Sequence, residues 1–187
     1  MEEEIQFCLD TAKERMDHAI DHLNIELLQI RAGKANPHML DAIHVDYYGT
    51  KTPLNQVSNV NTPDAKTIAI QPWEKAMIDP IEKAIMQANL GVTPVNNGEI
   101  IRLNIPPLTE ERRKELVKKV RNEGENAKVS VRAARKETND DIKKLQKDGL
   151  SEDLARDTEA EVQKLTDDYS KKIDVLVESK EKDIMTV

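Results

Sequence analysis

The prolines of this chain fall in one continuous part of it. All eight lie between Pro37 and Pro107, and none occurs in residues 1–36 or 108–187. Because proline lacks a backbone N–H donor and clashes with the preceding helical turn, the two flanks are free to form long helices and the middle is not. The sequence therefore predicts two helical arms that pack together as one discontinuous domain, 1–30 with 106–187, around an inserted domain, 31–105.

Hydrophobic periodicity indicates how many helices the flanks contain. In residues 1–30 apolar side chains recur at steps of mostly four and three, which places them on one narrow stripe. After Pro107, Thr109 is suited to cap a second helix that runs to Lys147, with Gly149 as its C-cap. Ser151 is suited to cap a third helix, whose apolar stripe starts at Leu154. The flanks therefore predict a three-helix bundle.

The middle of the chain has the pattern of a small α+β domain of about 75 residues. Residues 43–47 and 67–70 alternate with period two, as strands do. Asp79 and Pro80 are typical of an N-cap and a first helical residue, and the helix would continue over 81–88. Asn97 and Gly98 predict a hairpin turn between two further strands.

Two crossings connect the inserted domain to the bundle, and paired linkers of this kind permit a hinge. The residues taken for this hinge are Arg31, Ala32, Gly33, Asn104, Ile105, Pro106 and Pro107.

Charge is distributed unevenly along the chain. Residues 112–136 hold ten basic and three acidic side chains, a net +7, within a chain of formal net charge −7. Six of these cations fall within an arc of about 100° beside the apolar stripe, interrupted by Glu125. They are Lys114, Lys118, Arg121, Lys128, Arg132 and Arg135. Such an arc can follow a phosphate backbone, and we take the last four as candidate RNA-binding residues. The alternative is a solvated face that pairs with the acidic first and third helices.

Other sequence features give little sign of catalysis. The single cysteine, Cys8, excludes an internal disulfide and is interpreted as a packing residue. His18 and His22 have a metal-ligand spacing without an evident third ligand, and we interpret them as solvent-exposed. Trp73 is interpreted as a core residue. No glycine-rich phosphate loop or nucleophile motif is present in the sequence, so neither an enzyme nor a cofactor is expected.

Location and assembly are expected from the same features. The longest uncharged run, 84–98, is too short and too polar to span a bilayer. We therefore expect a cytoplasmic protein with no membrane partner. The paucity of aromatic residues and the strong helical pattern favour a monomer, although a second chain could also cover a coiled-coil stripe.

Six stretches, in order along nearly the whole chain, resemble the bacterial ribosome recycling factor family. They are RAGKANPHMLD at 31–41, VDYYGTKTPL at 45–54, EKAIMQANLGVTP at 82–94, PPLTEERRKELVKKVR at 106–121, VSVRAARKETND at 129–140 and EVQKLTDDYSKKID at 161–174. The resemblance implies a near-L-shaped α+β protein, in which a long antiparallel three-helix bundle is hinged to an inserted β/α/β domain. It also implies a translation factor that binds the post-termination ribosome and splits its subunits with elongation factor G and GTP.

The resemblance also suggests which residues contact large-subunit rRNA. The RNA-contacting arginine of the family motif falls on Arg135, with Arg132 one turn before it. Arg31 and position 34 belong to the rRNA-facing set of the family. This chain has Lys34 where many members carry arginine, which keeps the charge and loses the bidentate fork.

Two other functional classes stay open. A helical adaptor without an RNA role would bind a basic protein along its acidic faces. An enzyme has only the pair His18 and His22 in its favour. A pull-down from lysate separates the first possibility from RNA binding, since RNA digestion would remove the partners only if RNA mediates the contact.

Overall fold

Long helices occupy both flanks of the chain, as the proline distribution predicts. The computed structural model describes residues 1–30 and 32–186. The flanking helices are α1 (Glu2–Gln29), α3 (Glu110–Lys147) and α4 (Glu152–Met185), and the middle contains α2 (Ile78–Gln87) and six strands. The chain divides into two compact units, Met1–Ala32 with Glu110–Val187 and Gly33–Thr109.

In the bundle, α3 runs antiparallel to both α1 and α4. Arg15 of α1 pairs with Glu137 of α3 at 2.6 Å, and the Tyr169 hydroxyl of α4 donates a hydrogen bond to Asp17 of α1. Most of the predicted apolar stripe of each helix is buried. The largest fully buried side chains of the bundle are Met16, Leu23, Val120, Ile142, Ile173 and Ile184.

The predicted burial of one residue of the bundle, Leu154, is wrong. Leu154 is 48% exposed, and the buried stripe of α4 begins one residue later, at Ala155. The structure also buries Gly124 and Thr138 of α3, which the apolar pattern did not include.

The ends of α3 and α4 follow from local sequence. Helix α3 begins at Glu110, directly after Thr109. At its end Gly149 adopts φ +111°, its N–H donates to Gln146 O, and the Leu150 N–H donates to Leu145 O at 2.9 Å. This pair of bonds is a Schellman motif, which satisfies the last carbonyls of the helix. Ser151 then caps α4 by accepting a hydrogen bond from the Leu154 N–H.

The inserted unit contains two antiparallel sheets. Strands β1 (His44–Tyr47) and β2 (Thr50–Pro53) form a hairpin. Strands β3 (Ser58–Asp64), β4 (Thr67–Pro72), β5 (Pro94–Asn96) and β6 (Ile101–Asn104) form a four-stranded sheet in the order β3-β4-β6-β5. Alternate residues of β4 and β6 and one side of α2 are buried in a shared core that includes Ile68, Ile70, Ile81, Ile85 and Ile101.

The predicted strands and turn of the middle are confirmed, while the predicted start of α2 is wrong. Asn97 accepts hydrogen bonds from the Glu99 and Ile100 N–H groups in the predicted turn. Asp79 is not the N-cap of α2, because a 3₁₀ turn over Lys75–Met77 leads directly into a helix that begins at Ile78. Pro80 is tolerated there since first-turn N–H groups have no intrahelical acceptor.

Two of the predicted hinge positions are held firmly within the inserted unit. Asn104 lies opposite Thr67 at the end of β6, and the Ile105 N–H donates to Lys66 O at 2.7 Å from a buried position. Arg31 lies outside the described residues. The hinge stays a prediction. Over the residues that the structure describes, no helix is long and apolar enough to cross a membrane.

Candidate nucleic-acid interface

Six basic side chains of α3 lie beside its buried stripe, as predicted. We refer to them as the basic face: Lys114, Lys118, Arg121, Lys128, Arg132 and Arg135. The buried positions of α3 follow a different line, for example Val120, Ala127 and Val131. The helix is unbroken over Glu110–Lys147, so the six cations lie along one side of a single helix, which rises about 1.5 Å per residue.

The side of the basic face next to α4 is partly neutralised. Arg121 Nε lies 2.6 Å from Glu181 Oε1, and Lys128 Nζ lies 2.6 Å from Asp174 Oδ1. The hydrogen bond to Glu181 raises the pKa of Arg121 above its ordinary value. Arg121 and Lys128, two of the predicted RNA-binding residues, therefore pair with acidic residues of the third helix of the bundle, as the alternative interpretation expects.

Arg135 is also next to α4 but contacts a neutral group. Its Nη1 donates to Gln163 Oε1 at 3.1 Å, and the side chain is half-buried. Its charge is therefore not paired with a carboxylate among the described residues.

The outward side of the basic face is less paired. Arg132 is exposed and forms no ion pair within 1–30 and 32–186, and the same holds for Lys136 one turn later. Lys114 pairs with Glu110 of its own helix at 3.2 Å. Lys136 was missed by the sequence prediction, although it lies in the same +7 segment and at i+4 from Arg132.

The remaining predicted rRNA-facing residues are not part of α3. Lys34 belongs to the inserted unit and is half-buried. Arg31 lies outside the described residues, so the structure does not test its predicted role.

The structure also places the histidines, the cysteine and the tryptophan that the sequence analysis considered, and it corrects the interpretation of the tryptophan. His18 and His22 are exposed, and each contacts a glutamate of α1, at 3.8 and 4.0 Å. Cys8 is half-buried, and burial, aided by Asp141, raises the pKa of its thiol. The interpretation of Trp73 as a core residue is wrong, because it is 65% exposed. It lies in the bend that follows β4, where its backbone N–H donates to Val57 O at 3.2 Å.

Two adjacent tyrosines of the inserted unit, Tyr47 and Tyr48, share a carboxylate partner that the sequence did not indicate. Tyr47 and Tyr48 both donate hydrogen bonds to the carboxylate of Glu74, at 2.8 and 3.2 Å, which raises the pKa of both hydroxyls. Tyr48 is 83% exposed and has φ +50°, a region that few bulky residues adopt. Hydrogen bonding to Glu74 stabilises this unusual position.

The fold defines the class of protein: a helical bundle interrupted by an inserted α+β unit, with a line of cations on its central helix. The family model of the ribosome recycling factor matches residues 23–185. The chain therefore belongs to the ribosome recycling factor family.

Individual relatives agree with this assignment over the full length. The chain is 55% identical to the ribosome-recycling factor of Flavobacterium psychrophilum over 187 residues, all of both chains. It is 56% identical to that of Porphyromonas gingivalis over 185 residues, 98% of this chain and all of the other.

Two solved structures are similar as well. A solution structure of the ribosome recycling factor matches with a TM-score of 0.78 and 38% identity, covering 98% of each chain. A model of the T. thermophilus ribosome recycling factor and the E. coli elongation factor G, bound to the E. coli post-termination complex, matches with a TM-score of 0.64 and 42% identity. That match covers 97% of this chain and 99% of the other.

Proposed function

We propose that this protein is a translation factor that binds the post-termination ribosome through the basic face of α3 and, with elongation factor G and GTP, splits the ribosomal subunits. Family membership supports the general role, and the similar chain bound with elongation factor G to a post-termination complex supports both partners. Hydrolysis of GTP is assigned to the elongation factor, since the sequence here contains no glycine-rich phosphate loop. The site of action is then the cytoplasm, where ribosomes lie.

The observation that carries the proposal is the availability of cations at the far half of the basic face. Arg132 is exposed and unpaired among the described residues, and Arg135 is bound only by a neutral amide. Each guanidinium can therefore contact a phosphate of large-subunit rRNA without first breaking an ion pair. We propose that Lys128 and Arg121 contribute through long-range attraction, because α4 carboxylates already contact them.

The two units have different roles in this proposal. The bundle, 1–30 with 106–187, binds the large subunit, and the inserted domain, 31–105, faces elongation factor G. The predicted hinge between them permits the inserted domain to reorient during splitting. Arg31 and Lys34 are proposed as further rRNA contacts next to this hinge.

The proposal is tested by sedimenting purified vacant ribosomes with wild-type protein and with Arg135→Ala at two salt concentrations. Loss of one phosphate contact is expected to weaken binding about tenfold and to reduce the salt slope by about one. Arg156→Ala is a matched control, since Arg156 is an exposed arginine of α4 that pairs with Glu152 outside the basic face.

The outcomes are distinct. Salt-sensitive binding by wild type and Arg156→Ala, with weak binding by a folded Arg135→Ala, supports the proposal. Binding by Arg135→Ala at the wild-type level would exclude the assigned role of Arg135, and absence of wild-type binding would exclude the ribosome as the target. Subunit splitting is then measured by light scattering with elongation factor G and GTP, where omission of either is expected to abolish it.

A further inference from the structure

Charges on α3 and α4 repeat with the same seven-residue spacing. The cations on the α4 side of the basic face are Arg121, Lys128 and Arg135, and the facing carboxylates on α4 are Glu181, Asp174 and Asp167. In an antiparallel pair of helices, equal steps in opposite directions bring each cation to one carboxylate. The first two ion pairs form at 2.6 Å each.

The third ion pair of this series does not form among the described residues. The side-chain amide of Gln163 lies between Arg135 and Asp167. Its Oε1 accepts a hydrogen bond from Arg135 Nη1 at 3.1 Å, and its Nε2 donates to Asp167 Oδ1 at 3.0 Å. One neutral group thus bridges the two charged side chains through one hydrogen bond to each.

We propose that Gln163 is a positioning residue, which holds the guanidinium of Arg135 away from Asp167 and so keeps its charge available to a phosphate group. This inference rests on the proposed function, because it assigns a reason for the arrangement around the RNA-binding arginine. The amide uses one of the five guanidinium donors, and the others stay free for a bidentate phosphate contact.

The alternative partner of Arg135 would compete with RNA directly. A carboxylate can bind the guanidinium fork through two hydrogen bonds, and a phosphate would have to displace it. A neutral amide is a weaker competitor, because it has no net charge to attract the guanidinium and accepts through one oxygen, whereas a carboxylate is charged and accepts through two. The same argument explains why Arg121 and Lys128, which contact carboxylates, are less available than Arg135.

The test is a rescue experiment. In Gln163→Ala the amide is removed, Arg135 can contact Asp167, and binding to vacant ribosomes is expected to fall about three- to tenfold. Adding Asp167→Asn removes the competing carboxylate and is expected to restore binding. Asp168→Asn is the matched control, because it removes the same charge from an exposed neighbour on α4 that forms no ion pair among the described residues.

A second probe, immobilised heparin, separates this inference from the ribosomal function. Gln163→Ala is expected to elute at lower salt than wild type. The double variant Gln163→Ala/Asp167→Asn is expected to elute near wild type. The double variant Gln163→Ala/Asp168→Asn is expected to elute at lower salt than wild type and than Gln163→Ala/Asp167→Asn. If the four proteins elute from heparin in this order but wild type does not bind ribosomes, the proposed function fails and the positioning role stands. Equal binding by Gln163→Ala and wild type on both probes, or equal rescue by the two asparagine variants, would overturn the role of Gln163.

Discussion

Gly124 is the residue at which the packing of α3 on α4 can be tested most sharply. An alanine in the middle of a helix is ordinarily more stable than a glycine by about 1 kcal/mol. In this chain we expect Gly124→Ala to be destabilising instead. A Cβ atom at Gly124 would lie 2.5 Å from Val177 Cγ2 and 3.9 Å from Ile173 Cγ2 on α4.

The overlap with Val177 decides the sign of the effect. Valine is β-branched and keeps one strongly preferred rotamer in a helix, so its methyl cannot turn aside cheaply. Overpacking of this kind costs about 1–3 kcal/mol. After subtraction of the gain in helix propensity, a net destabilisation of about 1 kcal/mol is expected. The ion pairs on either side of Gly124 change this figure little, because exposed ion pairs contribute about 0.2–1 kcal/mol.

The measurement is urea unfolding followed by circular dichroism, for Gly124→Ala, Val177→Ala and the double variant. Val177→Ala removes the obstructing methyls, so Gly124→Ala is expected to stabilise that background by about 1 kcal/mol. Ala133→Gly, at an exposed position of α3, measures the propensity difference on the same helix without the overlap. If Gly124→Ala stabilises the wild-type chain as much as Ala133→Gly destabilises it, the steric argument is refuted.

Two further stability predictions use the same assay. Tyr169→Phe removes the hydrogen bond to Asp17 and is expected to cost about 1 kcal/mol at pH 7. Burial and this bond raise the pKa of Tyr169 to about 12, so the stabilisation is complete below pH 10 and is lost as pH rises from 10 to 12. The difference in the free energy of unfolding between wild type and Tyr169→Phe should therefore be smaller at pH 11 than at pH 7. Ser151→Ala removes the N-cap of α4 and is expected to cost about 1 kcal/mol, whereas Ser151→Asp should cost almost nothing.

The helices of the bundle were predictable because two independent signals agree on them. Prolines exclude helices from the middle, and apolar residues at steps of three and four define a stripe in each flank. The apolar pattern missed two buried positions of α3 whose residues are not counted as apolar. Gly124 has no side chain to count, and Thr138 satisfies its hydroxyl by donating to Ala134 O at 2.8 Å.

The burial of Trp73 was mispredicted for a related reason. A single aromatic residue beside a strand is usually interpreted as core, but the alternation of β4 is already complete with Ile68 and Ile70 facing inward. Trp73 is left outside, and Tyr48 is stabilised by a hydrogen bond to Glu74, a residue 26 positions away. A contact at this separation depends on how the hairpin β1–β2 packs, which local pattern does not specify.

The charge of the basic face was predictable, but its availability was not, because a count of cations does not show which of them have partners. The +7 segment predicts where a polyanion can bind, whereas the α4 residue opposite each cation decides how much charge stays free. Carboxylates lie opposite Arg121 and Lys128, and an amide contacts Arg135. Towards the α3–α4 turn, the charges of Arg132 and Arg135 therefore stay available. Because the seven-residue spacing is present in both helices, the pairing could have been predicted once the antiparallel register was known, and only the intervention of Gln163 required the structure.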